Sequence, residues 1–585
     1  MMPNNKEQLE TDVLIIGTGP AGSTCAAALA MYGVKPMVVN KFGWTVRTPR
    51  AHITNPRAVE IFHDLGVKDD LLDHATPHTL MGEHVVCTSI AGEELGRYRT
   101  FGTEYDYGLN YRKASPENFV DLPQNYLEPI MLGAACHRGA TYLNHTEFKR
   151  FEQDDDGVTS YLTNNLTDEE IVVRSKYLVG ADGANSQVAK GANLPFEGQS
   201  GKSASMNIVF NADLTKLVAH RPTALFTVIA TGADVGGLGL GVFRMVRPWH
   251  RWLLIWGHDK QAGTPEQDDE EALRILRTVI GDDSIPIELD SVSFWTVNER
   301  YATQLSEGRV YCMGDAVHSH PPAKGLGSNT SLQDAYNLAW KMAYVLKGKA
   351  GAALLDSYNQ ERAPIAKQIV TASNKSLQTF PAVLQTLGVL DTCDTEMMVR
   401  RIEALKEASP AAAKRRSELR SAIEATHDCY NDPGIELNQR YVSGAVATDE
   451  PHPSFSVDPE RYHEISSHPG ARLPHAWVKD GEKLISTLYL CGGGAFSILT
   501  GVNGQPWREI AKQVSESLDV PINVHVIGHG QRYADSHGEY ARVSEVEEDG
   551  ALLVRPDVYV GWRSKTLTST SQKELEDAMR QILAL

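Results

Sequence analysis

The sequence is short of the features that mark several protein classes. Its seven cysteines are scattered over 585 residues, an odd number with no C-x-x-C pair. That excludes a disulfide framework or a thiolate zinc site as the organising device. No apolar run reaches the roughly 20 residues needed to cross a bilayer, and the opening MMPNNKEQLE is polar where a secretory signal would be apolar. Basic charge is in deficit: 56 Lys and Arg against 74 Asp and Glu leave a net charge of -18. This argues against nucleic acid or an anionic membrane surface as partner. Repeats and long low-complexity tracts are also missing. The residue balance, 42% hydrophobic and 22% charged, is that of a globular chain, expected to be cytoplasmic with reduced thiols. The length predicts about two to four domains.

What is present is punctuated by glycine and aspartate. Thr11 to Ile16 reads as a buried strand, followed at once by Gly17-Thr18-Gly19-Pro20-Ala21-Gly22, an Ala-rich helix to Met31 and a strand Pro36 to Val39. A G-x-G-x-x-G in a strand–helix–strand unit points to a dinucleotide. Gly17 permits the tight turn, Gly19 lets a pyrophosphate approach the backbone, and Gly22 lets the helix pack. Asn40-Lys41 stands where an acidic residue usually binds ribose, and an Asn can still hydrogen-bond a hydroxyl. Arg47 to Arg57 (RTPRAHITNPR) places arginines near the phosphate turn, Arg50 by preference reaching the ligand. His52 among them is a candidate acid–base group.

Two more strand–Asp breaks follow, Asp182-Gly183 after a strand Glu170 to Leu178 and Gly314-Asp315 after Val310 to Met313. Beyond Asp315 a Pro- and Gly-rich loop leads through Pro322, Gly325, Leu326, Gly327, Ser328 and Asn329 into an amphipathic helix. Small residues there open the backbone to a ligand, and a helix N-terminus favours negative charge. Asp121-Leu122-Pro123-Gln124 opens another helix, with Gln124 directed outward from its N-terminus. Strand-like segments rich in aromatics, Ser205 to Phe210, Ala224 to Thr231, Gly239 to Val246 and Trp252 to Trp256, predict a sheet covering an aromatic pocket, with Arg244 pointing into it or pairing at its surface. Pro364 is expected to kink or split the helical run from Ala350 to Ser376, and Lys414 to Arg416 to lie on a solvated helix face. Asn431-Asp432-Pro433-Gly434 reads as a turn and linker before a small α/β domain.

The three motifs in this order resemble the single-component FAD-dependent aromatic hydroxylases, which share the fold of p-hydroxybenzoate hydroxylase. P-R-A-H-I-T-N at Pro49 to Asn55, D-L-P-Q at Asp121 to Gln124 and R-P-D-x-Y-V-x-W-R at Arg555 to Arg563 resemble the branch of dichlorophenol, hydroxybiphenyl and phenol monooxygenases. The resemblance implies an α/β chain. A Rossmann-like FAD domain (10–80, 115–195 and 300–378) is interleaved with a β-sheet substrate domain (81–114 and 196–299). A helical connection (379–430) leads to a thioredoxin-like C-terminal domain (431–585) that lacks the redox C-x-x-C. It further implies that Gly17, Gly19, Pro20, Ala21 and Gly22 hold the FAD pyrophosphate, with Asn40 and Lys41 at its ribose. Arg50 and Gln124 would contact FAD, Asp182 and Gly183 FAD or nicotinamide, Asp315 the ribityl chain, and Pro322 to Asn329 the isoalloxazine. Lys190 replaces an Arg common after the Asp-Gly motif. NADH or NADPH would be the reductant and O2 the co-substrate, and a flavin hydroperoxide would hydroxylate a small phenol ortho to its hydroxyl. His52 would take the phenol proton, Arg244 would order substrate or flavin, and the protein would be a dimer or tetramer. An FAD-dependent tailoring oxygenase of an aromatic polyketide is the alternative; a halogenase is disfavoured because W-x-W-x-I-P is absent.

Overall fold

The computed structural model describes residues 8–230, 240–258, 268–389 and 394–585. Thr231 and Gly239, at the ends of two expected strands, lie outside them. The first layer is a parallel sheet. Strand β1 (Leu9–Ile16) is followed by helix α1 (Pro20–Met31) and strand β2 (Met37–Val39). β1 pairs in parallel with β2 on one side and with β3 (Glu170–Gly180) on the other, and β3 pairs in parallel with β4 (Val310–Cys312). Val13, Leu14 and Ile15 are fully buried, as strands covered on both faces must be. α1 is buried from Ala21 to Ala30. Its alanines and Gly22 let it lie between the sheet and two further helices, Gln124–His137 and Leu326–Leu346. The crevice at the C-terminal ends of β1, β3 and β4, where the strand order reverses, is the ligand position of such sheets.

The second layer is an eight-stranded sheet containing Glu83–Cys87, Glu94–Arg99, Phe196–Asn211, Leu225–Ile229, Leu240–Arg247, Arg251–His258 and Glu288–Ala302. Its aromatics do not build the pocket wall expected from the sequence. Phe210, Phe226, Phe243, Trp252 and Trp256 pack with Ile275, Leu276 and Val279 of helix Asp269–Ile280. Strand alternation puts Arg244 on the opposite face, in register with Leu225 and Leu253. That face meets the flavin-type domain, because Arg244 donates to the carbonyls of Pro49 and Arg50.

Three other expectations are corrected. Helix Asp356–Ser376 is not split at Pro364; Pro364 and Gln360, whose carbonyl loses its helical donor, are both exposed. Arg415 and Arg416 turn back to carbonyls of Thr386, Leu387, Leu405 and Glu407, leaving only part of the Lys414–Arg416 run to solvent. Asn431 to Gly434 is not an exposed linker. Asn431 accepts from Gly102 N and donates to Arg99 O, Asp432 pairs with Lys324, and the stretch is buried. The C-terminal unit has a four-stranded sheet in the order Ile522–Val526, Phe496–Thr500, Ala551–Val554, Val560–Ser564. Its first pair is parallel and the others antiparallel, with helices Trp507–Leu518 and Ser571–Ile582 packed together, a thioredoxin-like arrangement. Arg555 in this unit is fully buried and pairs with Glu361 and Asp557, which fastens it to the core.

Candidate functional site

The glycines of the first turn are forced by their surroundings. Gly17 has φ +103°, and a Cβ on it would stand 2.3 Å from Ala181 O; on Gly22 it would stand 2.1 Å from Gly17 O. These two positions also bring the motif against Ala181-Asp182. Gly19 differs: a Cβ there meets nothing closer than Glu128 Oε1 at 4.0 Å. Its missing side chain therefore opens space in front of the α1 N-terminus, where Pro20 occupies the first turn and Ala21 is buried near Gly314. The unpaired N–H groups and dipole there suit an anion. Arg50 is exposed in the same cleft; burial raises the carboxyls of Asp315 and Glu128, and the Arg50 charge opposes that rise.

Asp315 lies in the Gly314–Ala316 turn after β4. Surrounding protein raises its carboxyl above the usual range, yet its side chain keeps exposed surface. Both hold for a carboxyl on the floor of an open cleft, available to hydroxyl groups. Asp182 is instead engaged: it accepts from Ser186 Oγ, from Gln187 N at 2.7 Å and from Val188 N at 3.2 Å. Its neighbour Gly183, at φ +79°, has no atom within 4 Å of a built Cβ and stays open.

The segment expected as a loop from Pro322 to Asn329 is half helix. The irregular part ends at Gly325, with φ +65°, and the helix already starts at Leu326. Leu326 packs among Ile365, Ile369 and Tyr441. Gly327 and Ser328 are in the first turn, and a Cβ on Gly327 would lie 3.5 Å from His320 Nε2. Asn329 is buried: its Oδ1 accepts from Asn55 N at 3.0 Å and its Nδ2 donates to Ile53 O at 2.9 Å. It thereby ties this helix to the segment carrying His52.

Asn40 and Gln124 are also bound within the chain. Asn40 Nδ2 donates to Thr18 Oγ1 at 2.7 Å and to Trp44 O at 2.9 Å, while its Oδ1 accepts from Phe42 N at 3.3 Å. Only one oxygen lone pair is left for a ligand. Lys41 is exposed, its ammonium 5.2 Å from the Phe42 ring centre. Gln124 Oε1 accepts from Ala51 N at 3.2 Å, and its Nε2 donates to Glu128, leaving one N–H free.

Sequence reasoning left out the partner of His52. His52 Nδ1 lies 2.8 Å from Asp121 Oδ2, and Asp121 is fully buried. The short antiparallel pairing of Ile53–Thr54 with Val120–Asp121 fixes the two segments, and Leu122 N donates to His52 O. Burial, with Arg244 nearby, lowers His52 to about 4 against the opposing pull of Asp121. The imidazole is therefore neutral near pH 7. Arg244 is 1% exposed and its Nε and Nη2 have no hydrogen-bond partner among the described residues. Burial lowers it to about 10, with Asp121 opposing, so it stays cationic. The D-L-P-Q motif was visible, but its attachment to His52 depends on a pairing across 69 positions. A second buried pair, His318 Nε2 with Asp334 Oδ2 at 2.8 Å, is tied to Arg362 and Gly314 N and braces the Asp315 turn.

This cleft fits a dinucleotide flavin: an open glycine at a helix N-terminus for the diphosphate, Arg50 for its charge and a carboxyl on the floor for hydroxyls. Comparison with known proteins agrees. Residues 10–373 match the FAD binding domain family and residues 466–584 the aromatic-ring hydroxylase C-terminal family. The chain is 51% identical to 2,4-dichlorophenol 6-monooxygenase of Delftia acidovorans, over 99% of both chains. It is 44% identical to phenol 2-monooxygenase of Pseudomonas sp. (strain EST1001), over 99% of this chain and 93% of that one. Among solved structures, the flavin-dependent monooxygenase PieE in complex with FAD and substrate is 39% identical with a TM-score of 0.94, covering 98% of this chain and 99% of that one. The chain belongs to the FAD-dependent aromatic-ring hydroxylases.

Proposed function

We propose that the protein hydroxylates a phenol ortho to its existing hydroxyl, using O2 and NADH or NADPH and forming a catechol. The observation that carries this reading is the buried His52–Asp121 pair beside an Arg244 guanidinium with two unengaged donors. FAD would be held by Gly17 to Gly22, Arg50 and Asp315, and when bound it would supply reduction by the nicotinamide and activation of O2. The chain's own residues prepare the phenol. Asp121 accepts from Nδ1–H of neutral His52, which leaves Nε2 with a lone pair for the phenol O–H. As the proton moves to Nε2, imidazolium charge develops against Asp121 and phenolate charge near Arg244. A phenol with an ordinary value of about 10 does not ionise fully to a histidine near 4, so the charges on both sides are needed. The anionic ring is electron-rich at the ortho carbon. Arg244 also draws the Pro49–Arg50 backbone inward, which fixes His52 two residues on.

The supporting relatives are named for dichlorophenol and phenol. The relative named putative polyketide hydroxylase, of Streptomyces halstedii, is 29% identical. A cytoplasmic dimer or tetramer belongs to the same proposal, and light scattering tests the oligomer. Among the described residues, no helix is long and apolar enough to cross a membrane. The deciding experiment measures NAD(P)H consumption and catechol formation over a panel of phenols. Matched product and nicotinamide consumption are expected; turnover of multi-ring substrates alone would transfer the assignment to the tailoring oxygenases.

A further inference from the structure

One titratable group in the cleft has no role in the reaction above. Glu128, on helix Gln124–His137, is 2% exposed and one turn after Gln124. Its Oε2 accepts from Val46 N at 2.8 Å and its Oε1 from Gln124 Nε2 at 2.5 Å. Gln124 in turn accepts from Ala51 N. The chain Val46–Glu128–Gln124–Ala51 thus fastens both ends of the segment that carries Arg47 and Arg50 onto this helix. The same Oε1 is the nearest atom to the open side of Gly19, so the carboxyl borders the space in front of the α1 N-terminus.

We propose that Glu128 is a positioning residue of the flavin cleft and that it takes up a proton when the FAD diphosphate docks beside it. The argument rests on the FAD placement above. A carboxylate and a diphosphate repel across a poorly solvated gap. Protonation removes that repulsion and leaves the acceptor positions toward Val46 N and Gln124 usable. Burial already brings the free carboxyl up to about 7, opposed by the Gln124 and Val46 donors and by Arg50. The other groups facing it are the Gly19 turn, which is uncharged, and Tyr142, whose hydroxyl burial holds above its ordinary value, with Asn40 opposing and Glu128 adding a smaller upward push. Among the described residues Arg50 is thus the cation acting on it, and it is exposed and can turn to the phosphates. The sign follows: the protonated form binds the anion better, so affinity falls as pH rises through about 7 and levels off above the higher value of the complex.

The test is FAD binding to the apoprotein between about pH 6 and 9, followed by flavin fluorescence and by calorimetry in two buffers of different ionisation enthalpy. The wild type is expected to lose up to about tenfold in affinity per pH unit above neutrality, the slope for one linked proton. Calorimetry at about pH 8 is expected to show close to one proton taken up. Glu128→Gln is expected to bind FAD more weakly at low pH and independently of pH, because its amide cannot accept from both Val46 N and Gln124. Glu128→Asp keeps the titration but loses reach. Flat wild-type affinity without proton uptake overturns the proposal, as does an unchanged pH profile in Glu128→Gln. The wild-type proton count decides the matter even if the variants fail to fold. Absence of FAD binding by the wild type at every pH would instead overturn the FAD placement, and this proposal with it.

Discussion

Replacing Asp121 with Asn keeps the size of a buried side chain and removes the charge 2.8 Å from His52 Nδ1. A hydrogen bond to a charged group contributes about 1.5–3 kcal/mol, here to the imidazolium that forms as the phenol proton is taken. Asp121→Asn should therefore lower kcat/KM for hydroxylation by about 10- to 150-fold, the same range converted at about 1.4 kcal/mol per decade. His52→Ala should cost at least as much. The combination is more decisive: if Asp121 acts through His52, adding Asp121→Asn to His52→Ala should change the rate less than about twofold, since paired residues are not additive. The assay is catechol formation, with peroxide release measured alongside so that uncoupled turnover is not mistaken for hydroxylation. The pH profile gives a second readout. His52 is held near 4, so activity should not fall on the acid side until well below neutrality, and losing the upward pull of Asp121 should move that limb lower. Independent, additive losses in the double variant would refute the coupling. An acid limb at pH 6 to 7 that vanishes in His52→Ala would refute the neutral buried imidazole.

Arg244→Lys keeps a cation but cannot reach both the Pro49 and Arg50 carbonyls, so hydroxylation should fall by about tenfold or more while the protein stays folded, a loss of one to two hydrogen bonds. Unchanged turnover with a lysine would show that charge alone suffices. Asn40→Asp, which restores the acid usual at this position, should weaken FAD binding by about 5- to 100-fold in fluorescence titration, because it removes the two N–H donors held by Thr18 and Trp44. Tighter binding would mean that Asn40 is a ribose ligand after all. Burial opposes but Arg555 and Lys341 dominate at Glu361, whose carboxyl is held well below the ordinary range. Its contribution is present above the unfolded value of about 4.3 and is lost as pH falls through the lower folded value. Thermal stability should thus drop steeply only below about pH 4, and Glu361→Gln should flatten that drop.

The parts of the site that steric demand imposes were legible in the sequence. Gly17 and Gly22 admit no side chain against Ala181 and the turn itself, and Asp315 follows its strand directly, so spacing alone announces them. Contacts made across long stretches of chain were not legible. Asp121 and Glu128 act on residues 69 and 82 positions away; the D-L-P-Q motif marks Asp121 without showing its partner, and nothing local marks Glu128. The aromatic strands misled for a different reason. Both faces of their sheet are covered, one by helix Asp269–Ile280 and one by the flavin domain, so alternation does not say which face is the chamber. Asn431-Asp432-Pro433-Gly434 has the composition of a turn, but Pro433 and Gly434 open the helix Pro433–Leu437, and Asn431 before it is wedged between Arg99 and Gly102. Asn40 and Gln124 read as ligand contacts in the sequence, but their amides have partners in Thr18, Trp44, Ala51 and Glu128 that only the fold brings within reach.

Hydroxylation by this chain inserts one oxygen atom from O2 into a phenol beside its hydroxyl. The most direct measurement is turnover of a simple phenol by the FAD-reconstituted protein under isotopically labelled O2, with mass analysis of the product. The expected product is a catechol carrying one labelled atom per molecule, formed in step with nicotinamide consumption and lost in His52→Ala. Nicotinamide oxidation that yields only peroxide with every phenol tried, or a product whose new oxygen comes from water, would contradict it.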